Sequence, residues 1–506
     1  MEAQASTTKR NPNLILDVNE SPKKISQWLI LAIQHVLAMF VACITVPLIV
    51  FNGYVDANGV SLTQTMIAPT LVAAGLGTII YLLLTKMKSP VFLASSFAYM
   101  GPMAAALSLG STSASTPNLW ALPIGMAFVG AVYVIVALVI KFCGVGWLNK
   151  LLPTIVIGPV IMVIGLSLST SAISNLTAST NESYNLVSIA CGLIGMVVTA
   201  LCSHYGKKTV ALIPFVLGMV AGYAAAALFT AIGYYGCGNE YFQIIDWSPL
   251  INNFSPVTWK SFISIPDFLF LTKSTAPITG SQIGTIALLF IPVSFVTICE
   301  HIGDHKNLSE ILNRDLLVDP GLTNTLMGDG IATAVSGIIC GAANTTYGEN
   351  VAVVGVTKIA STKVVFLAAL MAVALGFLSP VMALTMTIPK CVTGGVSLIL
   401  YGFIAASGVK MLINEHIDMG KTKNIFVASV ILVSGIGGLA FNFGDIKNPV
   451  ISITSIAVSM ILGIIMNLIL SDKKPKDKDK KTEQIENTDP TPANEVKPVE
   501  QTTVSK

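Results

Sequence analysis

Long apolar stretches alternate with short polar ones along the chain. Apolar runs of roughly 17–27 residues, each long enough to cross a hydrocarbon layer as a helix, cover 27–51, 65–86, 91–110, 119–141, 150–171, 184–204, 209–235, 283–303, 323–341, 344–361, 363–386, 390–409, 423–441 and 450–470. This pattern predicts an all-α integral membrane protein of fourteen spans. The third, ninth and tenth are the weakest, being short and rich in Gly, Ser and Thr. Residues 1–26 form a polar N-terminal tail, 236–282 a long connection containing Trp247 and Trp259, and 471–506 a polar tail that begins SDKKPKDKDKK. The last is expected to be solvated and disordered.

Composition supports the membrane assignment. Charged residues make up only 11% of the chain, against roughly a quarter in soluble domains, so most of the surface is expected to face lipid. The net charge of +3 is too small to suggest nucleic acid as a partner. The first residues are polar and the first apolar run is of spanning length, so no cleavable signal peptide is expected. If both ends are placed inside, every Lys and Arg except Lys260, Lys273, Lys390 and Lys447 falls on the inner side. That imbalance is the one the positive-inside rule predicts, and dropping one weak span would spoil it. The expected arrangement therefore has cytoplasmic termini and an extracellular 236–282 loop, in the plasma membrane of a bacterium. None of the eight cysteines pairs as CxxC, and they read as small packed residues. No metal cluster, nucleophile elbow or phosphate loop is visible, so no cofactor and no enzyme activity are expected.

The two halves echo each other. Residues 70–79 read TLVAAGLGTI and 325–334 read TLMGDGIATA, which matches Gly75 with Gly330 and Thr78 with Thr333. Further on, SSFA (95–98) answers TTYG (345–348). Seven spans per half is an odd number, so the second repeat (283–470) must enter the membrane inverted relative to the first (27–235). Transporters of that design place their site at interrupted spans near the midplane. SSFAYMGP and GAANTTYGEN have that character, each irregular at first and then helical. Their uncovered helix N-termini would offer free N–H groups to a ligand's carbonyl oxygens.

Ionisable residues within spans are costly and by default functional. Glu300 and Asp304 lie four residues apart on one helical face, and Glu349 follows TTYG. Asp329 is left unassigned. A carboxyl taken out of water can change protonation as its surroundings change, and a carboxylate can accept N–H bonds from a neutral ring. Phe97 and Tyr347 could stack on such a ring or simply pack the interior. His35 is either a proton group or an interhelical hydrogen-bond donor, and Gln34 beside it could help shape the site. Asn350 and Asn344 flank the TTYGE segment and could brace its backbone, with Thr346 in support. His204, His305 and His416 fall near inner loops and carry little weight, and His301 points to a different helical face from Glu300.

At these residues the chain resembles the nucleobase–ascorbate transporter family, most of all its uracil permease branch. The segments that carry the resemblance are QHVLAMFVACITVPL (34–48), EHIGDHKNLSEILNRDLLVDPGL (300–322), GDGIATAVSG (328–337) and NTTYGENVAVVGVTK (344–358). The last overlaps the family signature E/Q/P–N–x–G–x4–T–basic, here Glu349, Asn350, Val351, Ala352, then Thr357 and Lys358. The signature Gly is Ala352, and its basic end is Lys rather than Arg. Asp304 stands where some uracil permeases carry His.

The resemblance implies fourteen spans in two inverted sets of seven, with short strands in spans 3 and 10. It implies a substrate-carrying core (spans 1–4 and 8–11) and a gate (spans 5–7 and 12–14) that also forms a homodimer contact. Glu300 and Glu349 would bind the base, with Ser96, Phe97, Tyr347 and Gly348 lining it. Asp304 would join Glu300 in proton coupling, together with His35. The expected function is proton-coupled import of uracil by an elevator-type movement. The alternatives are a purine (xanthine or urate) permease of the same family and sodium-coupled nucleobase transport. An anion exchanger of similar architecture should favour a basic residue at the site.

Overall fold

The computed structural model describes residues 11–51, 53–55, 61–109, 117–178, 184–207, 209–268, 278–444 and 449–470. The C-terminal tail expected to be disordered lies outside the described residues. Fourteen main helices are α1 (Ile25–Val50), α2 (Ile67–Leu84), α3 (Met100–Leu107), α4 (Ala121–Cys143), α5 (Thr154–Ser167), α6 (Leu186–Tyr205), α7 (Pro214–Ala231), α8 (Gly280–Leu312), α9 (Leu322–Ile338), α10 (Gly348–Thr357), α11 (Thr362–Gly376), α12 (Lys390–Asn414), α13 (Thr422–Ile436) and α14 (Ser455–Ile469). Strands β1 (Leu93–Ser95) and β2 (Asn344–Thr346) precede α3 and α10, and β3 (Phe441–Gly444) and β4 (Pro449–Ile453) form a hairpin before α14. Among the described residues, eight helices are long and apolar enough to cross a membrane, and α11, α13 and α14 are shorter apolar helices.

Several boundaries differ from the hydropathy reading. The apolar run 363–386 is two helices, α11 and Ser379–Met386, broken at Leu378, which is extended (φ −85°, ψ 97°), with Pro380 in the first turn of the second helix, where a missing N–H is tolerated. The run 283–303 is the middle of α8, which starts in a Thr279–Gln282 capping box and continues to Leu312. Glu300 is therefore not at a helix end. A further twelve residues, about 18 Å of helix, follow it. The N-terminal tail is also more than a tail. Leu14 and Val18 are buried, Leu16 bridges to Ile359, and Asp17 pairs with Arg314.

The helices pack in two groups. In one, α1, α2, α4, α8, α9 and α11 surround β1 and β2, with α4 lying on α9 and α2 on α11. In the other, α12 lies against α5 and α6, and α7 against α6, while α13 and α14 close on α5. Helices in a membrane are drawn together by close packing and hydrogen bonds, and small residues set the contacts here. A Cβ at Gly395 would collide with the Gly192 main chain. The aligned pair Gly75 and Gly330 do matching jobs in the first group, at the α2–α11 and α4–α9 crossings, where a Cβ would run into Ala369 and Tyr133 respectively.

β1 and β2 pair antiparallel, Leu93 opposite Thr346 and Ser95 opposite Asn344. The aligned threonines brace them from outside the pair. Thr78 Oγ1 accepts from the Leu93 N–H at 2.9 Å, and Thr333 Oγ1 donates to the Asn344 carbonyl at 2.8 Å. Thr78→Val and Thr333→Val should each lower stability by about 1–3 kcal/mol, the cost of stranding a buried main-chain group. Earlier thermal unfolding in detergent would report this. Thr65→Val, whose hydroxyl bonds only the Ser61 carbonyl one turn back, is the control and should unfold as the wild type does.

Candidate functional site

The strand pair makes the site. β2 ends two residues before α10 and β1 five residues before α3, and the Met100 N–H that opens α3 already donates to the Phe97 carbonyl at 3.2 Å, so the uncovered N-terminus expected at the first short helix is partly satisfied by its own turn. The Ser96 N–H donates to the Ala343 carbonyl at 2.8 Å and the Tyr347 N–H to the Phe92 carbonyl at 3.1 Å, which extends the pairing one step beyond each strand end. Phe97 and Tyr347 follow, both buried. Phe97 meets Tyr401 of α12 edge to face, with ring centres 5.9 Å apart. This contact joins the two helix groups at the site. Tyr401 carries no motif signal and sequence reasoning missed it.

α8 supplies the carboxylates from the side. Glu300 and Asp304 are one turn apart, and Glu349 opens α10; all three are half-buried. Their charges act on one another, Asp304 and Glu349 on Glu300 and Asp304 on Glu349. Asp304 is held in place because Thr346 Oγ1 donates to its Oδ2 at 2.8 Å. Gly348 lies against the same carboxylate, where a Cβ would come 3.3 Å from Asp304 Oδ1. Glycine here lets the main chain of α10 approach Asp304.

The residues named from α1 sit behind α10. Asn350 Nδ2 reaches both Nδ1 and the main-chain oxygen of His35, each at 3.1 Å. His35 thus makes an interhelical bond, but as an acceptor through Nδ1 and not as the donor expected, which leaves the ring proton on Nε2. Gln34 is buried, and among the described residues its Oε1 has no partner, as is true of Asn350 Oδ1 and Ser96 Oγ. Buried polar atoms without partners are rare in folded proteins, and here three of them belong to residues chosen as site or support residues.

Two residues were undervalued in the sequence. His305, placed near an inner loop, is fully buried; its Nδ1–H donates to the His301 carbonyl at 2.7 Å, and its Nε2 lies 2.6 Å from the Tyr81 hydroxyl. Asp329, left unassigned, is buried against His301. Their sequence neighbours gave no warning, because the partners Tyr81 and His301 come from other helices.

A family profile described as "Permease family" matches residues 26–444. The chain belongs to that family, the nucleobase–ascorbate transporters, and is an integral membrane permease. It is 38% identical to a uracil permease of Bacillus caldolyticus over 90% of this chain and 94% of that protein. It is 35% identical to a uracil permease of Bacillus subtilis over 92% and 97%, and 32% identical to a uracil permease of Escherichia coli over 90% and 93%. Its fold is similar to that of the murine Slc26a9 anion transporter (TM-score 0.55, 13% identity, covering 89% of this chain and 69% of that one). It is also similar to the transmembrane domain of the cyanobacterial bicarbonate transporter BicA (TM-score 0.51, 12% identity, covering 87% and 98%).

Among the described residues the Ser96 hydroxyl has no partner, so Ser96→Ala should leave thermal unfolding within about 0.5 kcal/mol of the wild type. If Ser96 faces ligand, the same variant should lose part of the thermal shift that the ligand gives the wild type. An equal shift in both proteins would remove Ser96 from the site.

Proposed function

We propose that this permease imports uracil together with protons. The observation that carries the reading is the meeting of three carboxylates, Glu300, Asp304 and Glu349, with two helix N-termini. Uracil presents ring N–H donors and exocyclic C=O acceptors. Glu300 accepts N–H bonds from the base, Glu349 accepts beside it, and the N–H groups near Phe97 and Gly348 donate to its oxygens. Phe97 and Tyr347 cover the ring faces, with Ser96 at the rim. Glu300, Asp304 and His35 form the proton-coupling set, so loading of the base is linked to protonation. Gln34, Thr346 and Asn350 hold these groups in place. The relatives' description as uracil permeases supports the choice of base. An anion would meet repulsion from the same carboxylates, which argues against the ligand class named for the structural neighbours.

In this proposal the fourteen helices are fourteen spans in two inverted sets of seven, with both termini cytoplasmic and the 236–282 loop outside. The helix group around β1 and β2 (α1–α4 and α8–α11) is a core that carries the base. The group around α12 (α5–α7 and α12–α14) is a gate that also forms a homodimer contact. The core moves against the gate as an elevator, and Phe97–Tyr401 is a contact that must break as it moves.

The test is uptake of radiolabelled uracil into proteoliposomes under an imposed inward proton gradient, with excess unlabelled xanthine. Gradient-driven uptake that xanthine leaves intact is expected. Uptake erased by xanthine would favour a purine permease, and uptake driven by sodium but not by protons would replace the coupling ion. Glu300→Ala should abolish uracil binding, since it removes the ligand contact and the coupling group at once. Unchanged uptake in that variant would sink the site assignment.

A further inference from the structure

The chain passes between the two helix groups three times, after α4, after α7 and after α11. Two of these crossings, α7 to α8 and α11 to α12, are tied to each other. Ile263 and Leu378 form an antiparallel bridge. The Ser264 N–H donates to the Phe377 carbonyl at 3.0 Å, and the Ser379 N–H to the Phe262 carbonyl at 3.2 Å. Ser379 is buried, and its hydroxyl donates to the Lys260 carbonyl at 2.7 Å. Beside this bridge the short helix Ser248–Asn253 lies on the helix Ser379–Met386. Asn253 Nδ2 donates to the Ser261 carbonyl at 2.9 Å. These bonds make the two connections one packed unit.

The anchors of that unit lie on α6 and α7, which belong to the group around α12. Thr230 Oγ1 of α7 accepts from the Ile244 and Ile245 N–H groups, each at 3.1 Å. Asn185, just before α6, donates through Nδ2 to the Tyr241 carbonyl at 2.8 Å. Tyr223 of α7 touches both crossings. Its ring meets Trp247 edge to face, with centres 6.1 Å apart, and its hydroxyl lies 2.7 Å from Thr387 Oγ1. The Thr387 proton already goes to the Leu384 carbonyl at 2.7 Å, so Tyr223 is the donor.

α11 reaches the unit from the other group. Gly376, its last residue, is pressed on α2, where a Cβ would come 2.7 Å from Val72 Cγ2. A single peptide then faces both ways. The Phe377 and Leu378 N–H groups still donate back into α11, to the Ala374 carbonyl at 3.0 Å and the Leu375 carbonyl at 3.1 Å, whereas the Phe377 carbonyl accepts from Ser264. The bonds into α11 each span three residues, the poorer geometry of a helix end. A joint between two packed bodies needs such a place, where a few torsions can change without unpacking either side.

We propose that residues 240–264 and 379–389 are a fixed part of the gate, and that the Phe377–Leu378 peptide is the joint on which the core turns as it moves. The proposal takes that movement from the uptake reading, but the anchoring needs no ligand.

Two experiments use the purified full chain. In the first, without ligand, hydrogen exchange is compared between the wild type and Tyr223→Phe, which loses only the hydroxyl. Exchange in Ser379–Met386 should quicken about three- to tenfold, the worth of one hydrogen bond, while α11 keeps its rate. Thr387→Val removes the same bond from its other end and should give the same pattern. Equal quickening in α11, or none in Ser379–Met386, would overturn the proposal. In the second, distances between spin labels are taken with and without uracil. The native cysteines that are not buried, Cys143, Cys202 and Cys237, are first replaced by Ser. Labels go on Val257→Cys in the unit, Leu186→Cys at the start of α6 and Ser281→Cys at the start of α8, all three exposed. The 257–186 distance should hold while the 257–281 distance shifts. The reverse would overturn the proposal. If neither distance responds, the joint falls together with the moving core, and the exchange result alone decides whether the unit belongs to the gate.

Discussion

Main-chain N–H and C=O groups buried away from water must find partners inside the protein. Where the chain leaves helical form around Leu93–Ser95 and Asn344–Thr346, it meets that demand by pairing one break with the other. The outward edges are met in part by Thr78 and Thr333. Everything at the site follows from this arrangement. Because the breaks are paired, Phe97 follows one strand and Tyr347, Gly348 and Glu349 follow the other, and α8 passes alongside β2 and α10 to bring Asp304 to Thr346 and Gly348.

Much of this was legible in the sequence because helix and strand obey local patterns. Each apolar run overlaps a helix, although 363–386 is split in two and 91–110 holds only the short α3, and the Gly75/Gly330 and Thr78/Thr333 matches identified positions with equivalent packing roles. Glu300, Asp304, Glu349 and Thr346 were selected from chemistry and spacing, and the structure brings them together. What hydropathy could not show was depth and partnership. The end of an apolar run is not the end of a helix, as the extension of α8 to Leu312 illustrates. His305 looked like a loop residue because Lys306 and Asn307 follow it, yet its own face packs on Tyr81. Tyr401 lies in an ordinary glycine-flecked helix, and only the crossing of the two helix groups brings it to Phe97.

A fold shared with an anion transporter and a bicarbonate transporter shows how little the backbone alone decides about ligand. Helix N-termini favour negative charge. In this chain three carboxylates stand beside them, so the local field is mixed. A neutral ring with donors on one edge and acceptors on another suits such a field better than an ion of either sign.

The N-terminal segment also constrains the order in which the protein can be completed. Leu16 bridges to Ile359, Asp17 pairs with Arg314, and the Val18 carbonyl takes the Thr362 N–H and hydroxyl. At a synthesis rate of roughly 5–20 residues per second, the segment leaves the ribosome about 20–70 s before Ile359 exists. For most of that interval the residues it docks on, Ile311, Arg314, Ile359 and Thr362, have not been made. Burial of Leu14 and Val18 is among the later events of assembly, a latch that closes only once the second half of the chain has been made.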